Sequence, residues 1–462
     1  MAVVGGIAVP HPPIILPEVG RGEECRIEKT ILAYRTAAKA IADLEPDTII
    51  ITSPHTVMYA EYFHISPGKG AEGNLEQFRV GGVSVETKYD ETFAAELTRM
   101  AQKEGFPAGT DGERDPSLDH GTLIPLRFLQ EAGLGNVPVV RIGLSGLNAG
   151  KHYRLGQLVA ETAERLGRRT AIVASGDLSH KLKEDGPYGF APQGPEFDLK
   201  VTEALAKANF VELMEFSPAF CEEAAECGLR SFIIMAGALD GKAVDSWLLS
   251  YEGPFGVGYG IAVFSVTGDD PARKFGKQYC EKQKRRLAER EVSEDAYVKL
   301  ARASLEHYVN TGAVLNRPEG LPAEMLHDRA GVFVSLKKRG KLRGCIGTIE
   351  AVRECVADEI IRNAVSAGTE DPRFVPVSPI ELEELAYSVD VLGQAQAAES
   401  IEELDVKRFG VIVTSAGRRG LLLPNLEGVD TPQQQVEIAL QKAGIGRGEP
   451  YSIEKFEVIR HK

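Results

Sequence analysis

Through its first 266 residues the chain alternates short apolar runs with longer stretches in which apolar positions return every three or four residues. Ile27, Ile31, Tyr34, Ala38 and Ile41 fall on one stripe of a 3.6-residue period, which predicts a helix with one buried face. The run Thr48-Ile-Ile-Ile-Thr52 that follows has the unbroken apolar character of a strand covered on both sides. Similar runs predict strands at Ala2 to Val9, Val137 to Leu144, Thr170 to Ala174, Val244 to Tyr251 and Gly260 to Val266. Strands separated by helical stretches indicate an α/β domain over 1–266, with a central mixed, largely parallel sheet flanked by helices.

The pattern changes near Thr267. Gly268-Asp-Asp-Pro-Ala-Arg and the Lys/Arg/Glu-rich stretch behind it offer few apolar positions, so 267–292 reads as a linker or an exposed helix. Ser293 is placed to N-cap a helix carrying Ala296, Leu300 and Ala303. From 293 to 462 the chain predicts a smaller α+β domain. Its elements are a strand at Gly331 to Leu336, a turn at Arg339-Gly340, a strand at Leu342 to Ile349, a helix at Val352 to Ala367, and strands at Leu385 to Leu392 and Val411 to Thr414.

Length agrees with two domains, since 462 residues exceed what one core usually supports. The formal charge of -14 argues against nucleic acid as a partner, because a polyanion needs a basic surface. A local basic run, Lys337, Lys338, Arg339, Lys341 and Arg343, reads as a solvated hairpin. The opening MAVVGGIAVPHPP has no basic leader and reads as a first strand; no segment approaches the ~18 apolar residues of a membrane span. A cytoplasmic location without membrane association is expected, and a homodimer is left open. Six widely spaced cysteines without a CxxC pair disfavour a zinc ribbon or a disulfide framework, and most are expected to be reduced and structural.

Candidate chemistry lies just past the strands. In an open α/β sheet, ligands gather beyond the carboxyl ends of the strands, and His11, His55 and His180 each follow one. Glu252, after Ser246-Trp-Leu-Leu-Ser-Tyr251, adds a carboxylate. Two neutral imidazoles and one carboxylate on one face of an ion suit non-haem Fe(II), and the same donors accept Zn(II), Mn(II) or Co(II). His120, in Asp119-His-Gly-Thr, stands at the start of a helix, where the dipole favours the neutral ring as an acceptor or base. His180 is the other acid/base candidate, and Asp119 or Asp177 could orient these rings. His64 and His152 read as structural, and Gly253, Gly256, Gly258 and Gly260 as close packing in preference to a phosphate loop.

The His-Pro-Pro at the N-terminus, Ser-Pro-His55, Asp119-His-Gly, Ser-His180 and Glu252, in this order and spacing, resemble the LigB-type class III extradiol ring-cleavage dioxygenases and the related Memo proteins over about 1–266. The resemblance implies His11, His55 and Glu252 as ligands of Fe(II), with His120 and His180 as catalytic acid/base residues and Asp119 and Asp177 behind them. It implies a catechol-like aromatic substrate. A metal-dependent hydrolase or lyase, or a non-enzymatic Memo-like scaffold, is the alternative.

In the second half, Lys341-Leu-Arg-Gly-Cys-Ile-Gly-Thr348, Asp371-Pro-Arg-Phe374, Gly417-Arg-Arg-Gly-Leu-Leu-Leu-Pro424 and Gln441 to Gly446 resemble the AMMECR family from about 293 to the end. The resemblance implies a radical-SAM protein as a partner. Arg343 beside Cys345 would favour a thiolate, which makes the pair a candidate functional site. The alternative is a small strand residue among glycines that allow close backbone approach, and it is the one we favour.

Overall fold

The computed structural model describes residues 2–338, 340–426, 428–446 and 448–462. Arg339, half of the expected turn and one member of the basic run, lies outside the described residues. Contacts divide the chain into two compact units, Met1–Lys284 and Arg285–Lys462.

The first unit is built on strands β1 (Val3–Val9), β2 (Thr48–Ser53), β3 (Val139–Gly143), β4 (Thr170–Ser175), β5 (Lys242–Glu252) and β6 (Tyr259–Asp269), in the order β3-β2-β4-β1-β6-β5. β3, β2, β4 and β1 run parallel, while β6 is antiparallel to both β1 and β5. The mixed, largely parallel sheet expected from the sequence is present. Because β6 reverses direction between them, β5 ends at the same edge as β1, β2 and β4.

Alternate residues of the central strands feed two cores. Ile7, Val9, Ile49, Ile51, Ala171 and Val173 pack on one face with helices α1 (Glu28–Asp43) and α2 (His120–Glu131). Ala8, Ile50, Val140, Ile172 and Ala174 pack on the other with α3 (Ala149–Leu166) and α4 (Leu229–Ala238). This is why the strands read as continuous apolar runs. Two layers of helices enclose the sheet and leave its carboxyl edge for loops.

Across the expected linker, β6 continues to Asp269 and a helix, α5, spans Phe275–Ser293. Ser293 is not the N-cap of the next helix, α6 (Ala296–Thr311). Asp295 takes that role, its carboxylate accepting from the N–H groups of Tyr297 and Val298. The reason is local: Asp295 immediately precedes the first turn, whereas Ser293 still belongs to the helix before it.

The second unit carries an antiparallel sheet of β7 (Val332–Lys338), β8 (Lys341–Gly347), β9 (Leu385–Leu392), β10 (Gln396–Ala398), β11 (Phe409–Ser415), β12 (Arg418–Leu422) and β13 (Ser452–His461). The order is β8-β7-β9-β13-β11-β12, with β10 also paired to β13. Helices α6 and α7 (Val356–Thr369) cover the face bearing Val334, Leu336 and Val389, and α8 (Pro432–Ala443) packs on β11 and β12. The smaller α+β domain expected from the sequence is thus present. Among the described residues no helix is long and apolar enough to cross a membrane.

Candidate metal centre

His11 lies two residues beyond β1 and is buried. Its backbone N–H donates to Asp177 Oδ1 at 2.8 Å, and its Nδ1 is 2.9 Å from Ser175 Oγ. The Ser175 hydroxyl proton is already given to the Gly121 carbonyl at 2.5 Å. Nδ1 of His11 therefore carries the hydrogen toward Ser175, which leaves the lone pair on Nε2. That is the tautomer of a metal-ligating histidine, with the far ring nitrogen held by a neighbour.

His55, two residues beyond β2, brings its Nε2 to 3.0 Å from His11 Nε2. Two nitrogens bound to one tetrahedral ion at ~2.0–2.1 Å lie roughly 3.3 Å apart, so this spacing fits a shared ion. Ser53 Oγ accepts from the His55 N–H at 3.2 Å and donates to Asp119 Oδ1 at 2.5 Å. Asp119 in turn N-caps α2 through the Thr122 N–H at 3.0 Å. This chain fixes His120, the first residue of α2, with its ring centroid 4.1 Å from that of His55 and 5.5 Å from that of His11. The ligand atoms of His11, His55 and His120 all lie within 4.8 Å of one another. Gly121 makes room for them: a Cβ there would run into Ser53 Oγ and come within 3.2 Å of His55 Cδ2.

A second group shares His11. Its ring, the Asp177 carboxylate and the Cys227 thiol also lie within 4.8 Å of one another, with Cys227 Sγ 3.7 Å from His11 Nε2. Cys227 comes from the loop before α4, drawn in because Gly176 and Gly228 meet without side chains between them. The Asp177 N–H donates to its sulfur at 3.2 Å. His180 stands beside this group, its ring stacked at 5.1 Å on exposed Tyr188, while Phe78 stands edge-on to His120 at 5.3 Å. The loop carrying His180 is anchored by Asp198, which accepts from the Ser179 N–H and the Tyr251 hydroxyl, both at 2.7 Å.

Burial dominates the electrostatics. It lowers the pKa of His11 to about 3, assisted by His55, and that of His120 to about 3, assisted by His55 and His11. His55 and His180 are also lowered by burial, against the opposing pull of nearby carboxylates. All four rings are neutral at pH 7, as ligands must be. Burial raises Asp177 to about 6 and pushes the Cys227 thiol well up. Burial disfavours the charged forms of both acids beside neutral imidazoles, and a bound cation would offset that cost. The residues present therefore fit a divalent metal.

Of the expected site residues, His11, His55, His120, His180, Asp119 and Asp177 are brought together. Glu252 is not. Its Oε2 accepts from the Thr30 N–H at 2.8 Å and the Thr30 hydroxyl at 2.7 Å, in the first turn of α1. Helix N-termini have unpaired N–H groups and favour negative charge, and this carboxylate meets that demand. Strand order alone does not account for this, since β2 is also two strands from β1 and His55 still meets His11; Glu252 ends β5 beside the first turn of α1, where Thr30 takes up its carboxylate. Cys227 was not singled out from the sequence, and its position depends on a glycine contact that leaves no local pattern. His64 and His152 are buried and hydrogen-bonded, as expected of structural residues. Gly258 lies against Asp198, where a Cβ would strike the carboxylate, so packing accounts for it.

In the second unit, Arg343 is tied to Glu381 by bonds of 3.1 and 3.0 Å, and Lys338 joins the same carboxylate at 2.8 Å. Part of the basic run is thereby neutralised. Cys345 stands apart from this pair, and burial raises its thiol pKa, which lends nothing to the activated thiol that the sequence offered as the less favoured reading. All six cysteines are free.

Residues 5–262 match the family described as the catalytic LigB subunit of aromatic ring-opening dioxygenase, and residues 298–461 match AMMECR1. A protein of Clostridium acetobutylicum is 42% identical over the full length of both chains. One from Thermotoga maritima is 47% identical over 37% of this chain and 99% of its own. An uncharacterized protein of Pyrococcus horikoshii, solved by crystallography, aligns with 36% of this chain and 88% of its own at 30% identity and a TM-score of 0.34.

Proposed function

We propose a metal-dependent oxidoreductase activity on a small hydroxylated aromatic for this chain, which belongs to the family of the catalytic LigB subunit of aromatic ring-opening dioxygenase and carries an AMMECR1 domain behind it. The observation that carries the reading is the 3.0 Å approach of His11 Nε2 to His55 Nε2, with the His11 tautomer set by Ser175. His11 and His55 would hold the ion, and Asp177, which lies with His11 and Cys227 and not with His55, would complete a two-histidine, one-carboxylate set by turning toward it. Fe(II) bound there supplies Lewis-acid activation of a phenolic oxygen and a one-electron redox partner.

The chain's own residues do the rest. Phe78 and Tyr188 offer ring faces and edges on either side of the histidines, which suits a flat aromatic. Neutral His180 is placed to accept a phenolic proton. Neutral His120 can hydrogen-bond to an oxygen beside His55. The test is metal analysis of anaerobically purified protein, followed by oxygen uptake with a panel of catechols. Stoichiometric iron and catechol-dependent uptake are expected. Uptake that persists in the His11→Ala, His55→Ala double variant would refute the site.

A second reading is favoured by one observation, the Cys227 sulfur 3.7 Å from His11 Nε2. Thiolate and imidazole together suit Zn(II), and metal-assisted hydrolysis or lysis then replaces oxygen chemistry. Turnover with Zn(II) under strict anoxia, lost in Cys227→Ser, would establish it over the first.

A further inference from the structure

Three stretches singled out in the second half, 341–348, 371–374 and 441–446, take no part in the metal centre, yet the fold of the second unit brings them to one place. Strand register sets Cys345 opposite Ser335 and Ser335 opposite Ser388. Two residues along the same face, Phe333 lies opposite Asp390 and Asp390 opposite Arg460. The opposite face carries Val334, Leu336 and Val389, buried under α6 and α7. The Cys345 face is therefore the one those helices leave alone.

Its polar groups are firmly held. The Ser335 hydroxyl donates to Cys345 Sγ at 3.2 Å, and the Cys345 N–H donates to Asp371 Oδ2 at 2.9 Å. Asp371 grips Arg373 through Nε and Nη2 at 2.9 and 2.7 Å, and Nη2 also reaches the Cys345 carbonyl at 3.3 Å. Asp390 holds Arg460 in the same bidentate way at 2.7 and 2.8 Å. Each carboxylate takes the Nε/Nη2 edge, which leaves the Nη1 side of both guanidinium groups outside the pairs. Lys442 arrives from the last turn of α8 and has no carboxylate partner among the described residues; its Nζ is 3.5 Å from the Leu421 carbonyl. Arg373, Lys442 and Arg460 all interact electrostatically with the Cys345 thiol. Three cations against the carboxylates of Asp371 and Asp390 leave one positive charge uncompensated beside a part-exposed thiol.

We propose that this face is a second ligand site, which takes a small molecule through a carboxylate or phosphate group bound by Arg373, Lys442 and Arg460 next to Cys345. Buried aspartates pre-organise the two arginines, so that little ordering remains to be done on binding. The site is independent of the metal centre and of the activity proposed for it.

The chain supplies its own controls for a test, since Cys25 and Cys280 are exposed. Full-length protein is alkylated with iodoacetate or with iodoacetamide, and the rate at each cysteine is read by peptide mass spectrometry. The iodoacetate to iodoacetamide ratio at Cys345 should exceed that at Cys25 and Cys280 by about tenfold, because the cations concentrate the anionic reagent. Inorganic phosphate and acetate, in separate arms, should slow Cys345 selectively, and the stronger protector identifies the preferred oxyanion. In Lys442→Gln the ratio, in which the thiolate fraction cancels, should fall roughly threefold, while an unchanged melting midpoint reports an intact fold. Equal ratios at all three cysteines with no protection by either anion would overturn the proposal. Should Cys345 react with neither reagent, equilibrium dialysis against labelled phosphate decides. About one phosphate bound per wild-type chain and less in Lys442→Gln supports the site, and none bound by wild type overturns it.

Discussion

Replacing Glu252 separates a helix cap from a metal ligand. Its carboxylate accepts two hydrogen bonds from Thr30 in the first turn of α1, at 2.8 and 2.7 Å. Hydrogen bonds to charged groups contribute about 1.5–3 kcal/mol each, and the favourable dipole interaction about 0.3–1 kcal/mol. Glu252 is partly exposed, so water replaces some of this in the variant. We expect Glu252→Ala to cost about 2 kcal/mol and Glu252→Gln, which keeps an acceptor but loses the charge, about 1 kcal/mol. The single tryptophan, Trp247, sits on β5 in the same unit, so its fluorescence follows unfolding of this unit alone. For a unit of this size, 2 kcal/mol corresponds to a fall of about 5 °C in the Trp247 melting midpoint. Metal content, measured after reconstitution, should be unchanged in both variants and lost in His11→Ala. If Glu252→Gln lost its metal while the Trp247 midpoint held, the assignment of this carboxylate to the helix would be wrong.

Ser175→Ala removes the acceptor that fixes the His11 tautomer and should weaken metal affinity by about tenfold to a hundredfold in competition with a chelator, with little change in melting. Gly121→Ala places a methyl against Ser53 Oγ and His55 Cδ2. It should displace His55 and lower metal affinity while leaving the Cys227 side of the pocket in place; full affinity would show that His55 is not a ligand. Asp198, raised by burial to about 7, keeps in the native state a proton that the unfolded chain releases near its ordinary value of 3.8. Its stabilising contribution is therefore complete below about pH 4 and is lost as pH rises to about 7. Asp198→Asn should remove that slope and melt higher than wild type at pH 8, by an amount of order 4 kcal/mol at most. Parallel pH profiles for the two proteins would contradict it.

The central strands of the first unit were legible because they are covered on both faces, and uninterrupted Ile and Val runs have few other uses. α1 was legible for the opposite reason, a single buried stripe. β12, α8 and β13 were not anticipated. β13 shows the cause: Ser452–His461 carries Glu454, Lys455, Glu457 and Arg460 among its apolar residues and is held by pairing to β9, β10 and β11 in place of burial. Long-range pairing of that kind leaves no period in the local sequence.

The same limit divided the candidate ligands. A residue past a strand is marked in the sequence, and all four marked residues do reach one sheet edge. Which of them meet depends on strand order, and that is fixed by how the chain crosses over. β1, β4 and β2 are consecutive neighbours, so His11, His180 and His55 converge. β5 and β6 form a hairpin, and the hairpin attaches to β1 through its second strand. Strand order alone does not decide the rest, because β2 and β5 each stand two strands from β1, and His55 reaches His11 while Glu252 does not. The first turn of α1 makes the difference: Thr30 takes the Glu252 carboxylate, the carboxylate near His11 comes from the loop after β4 as Asp177, and the thiol of Cys227 enters where two glycines let the neighbouring loop close in. A Glu252 variant therefore tests the cap, and His11→Ala tests the candidate centre.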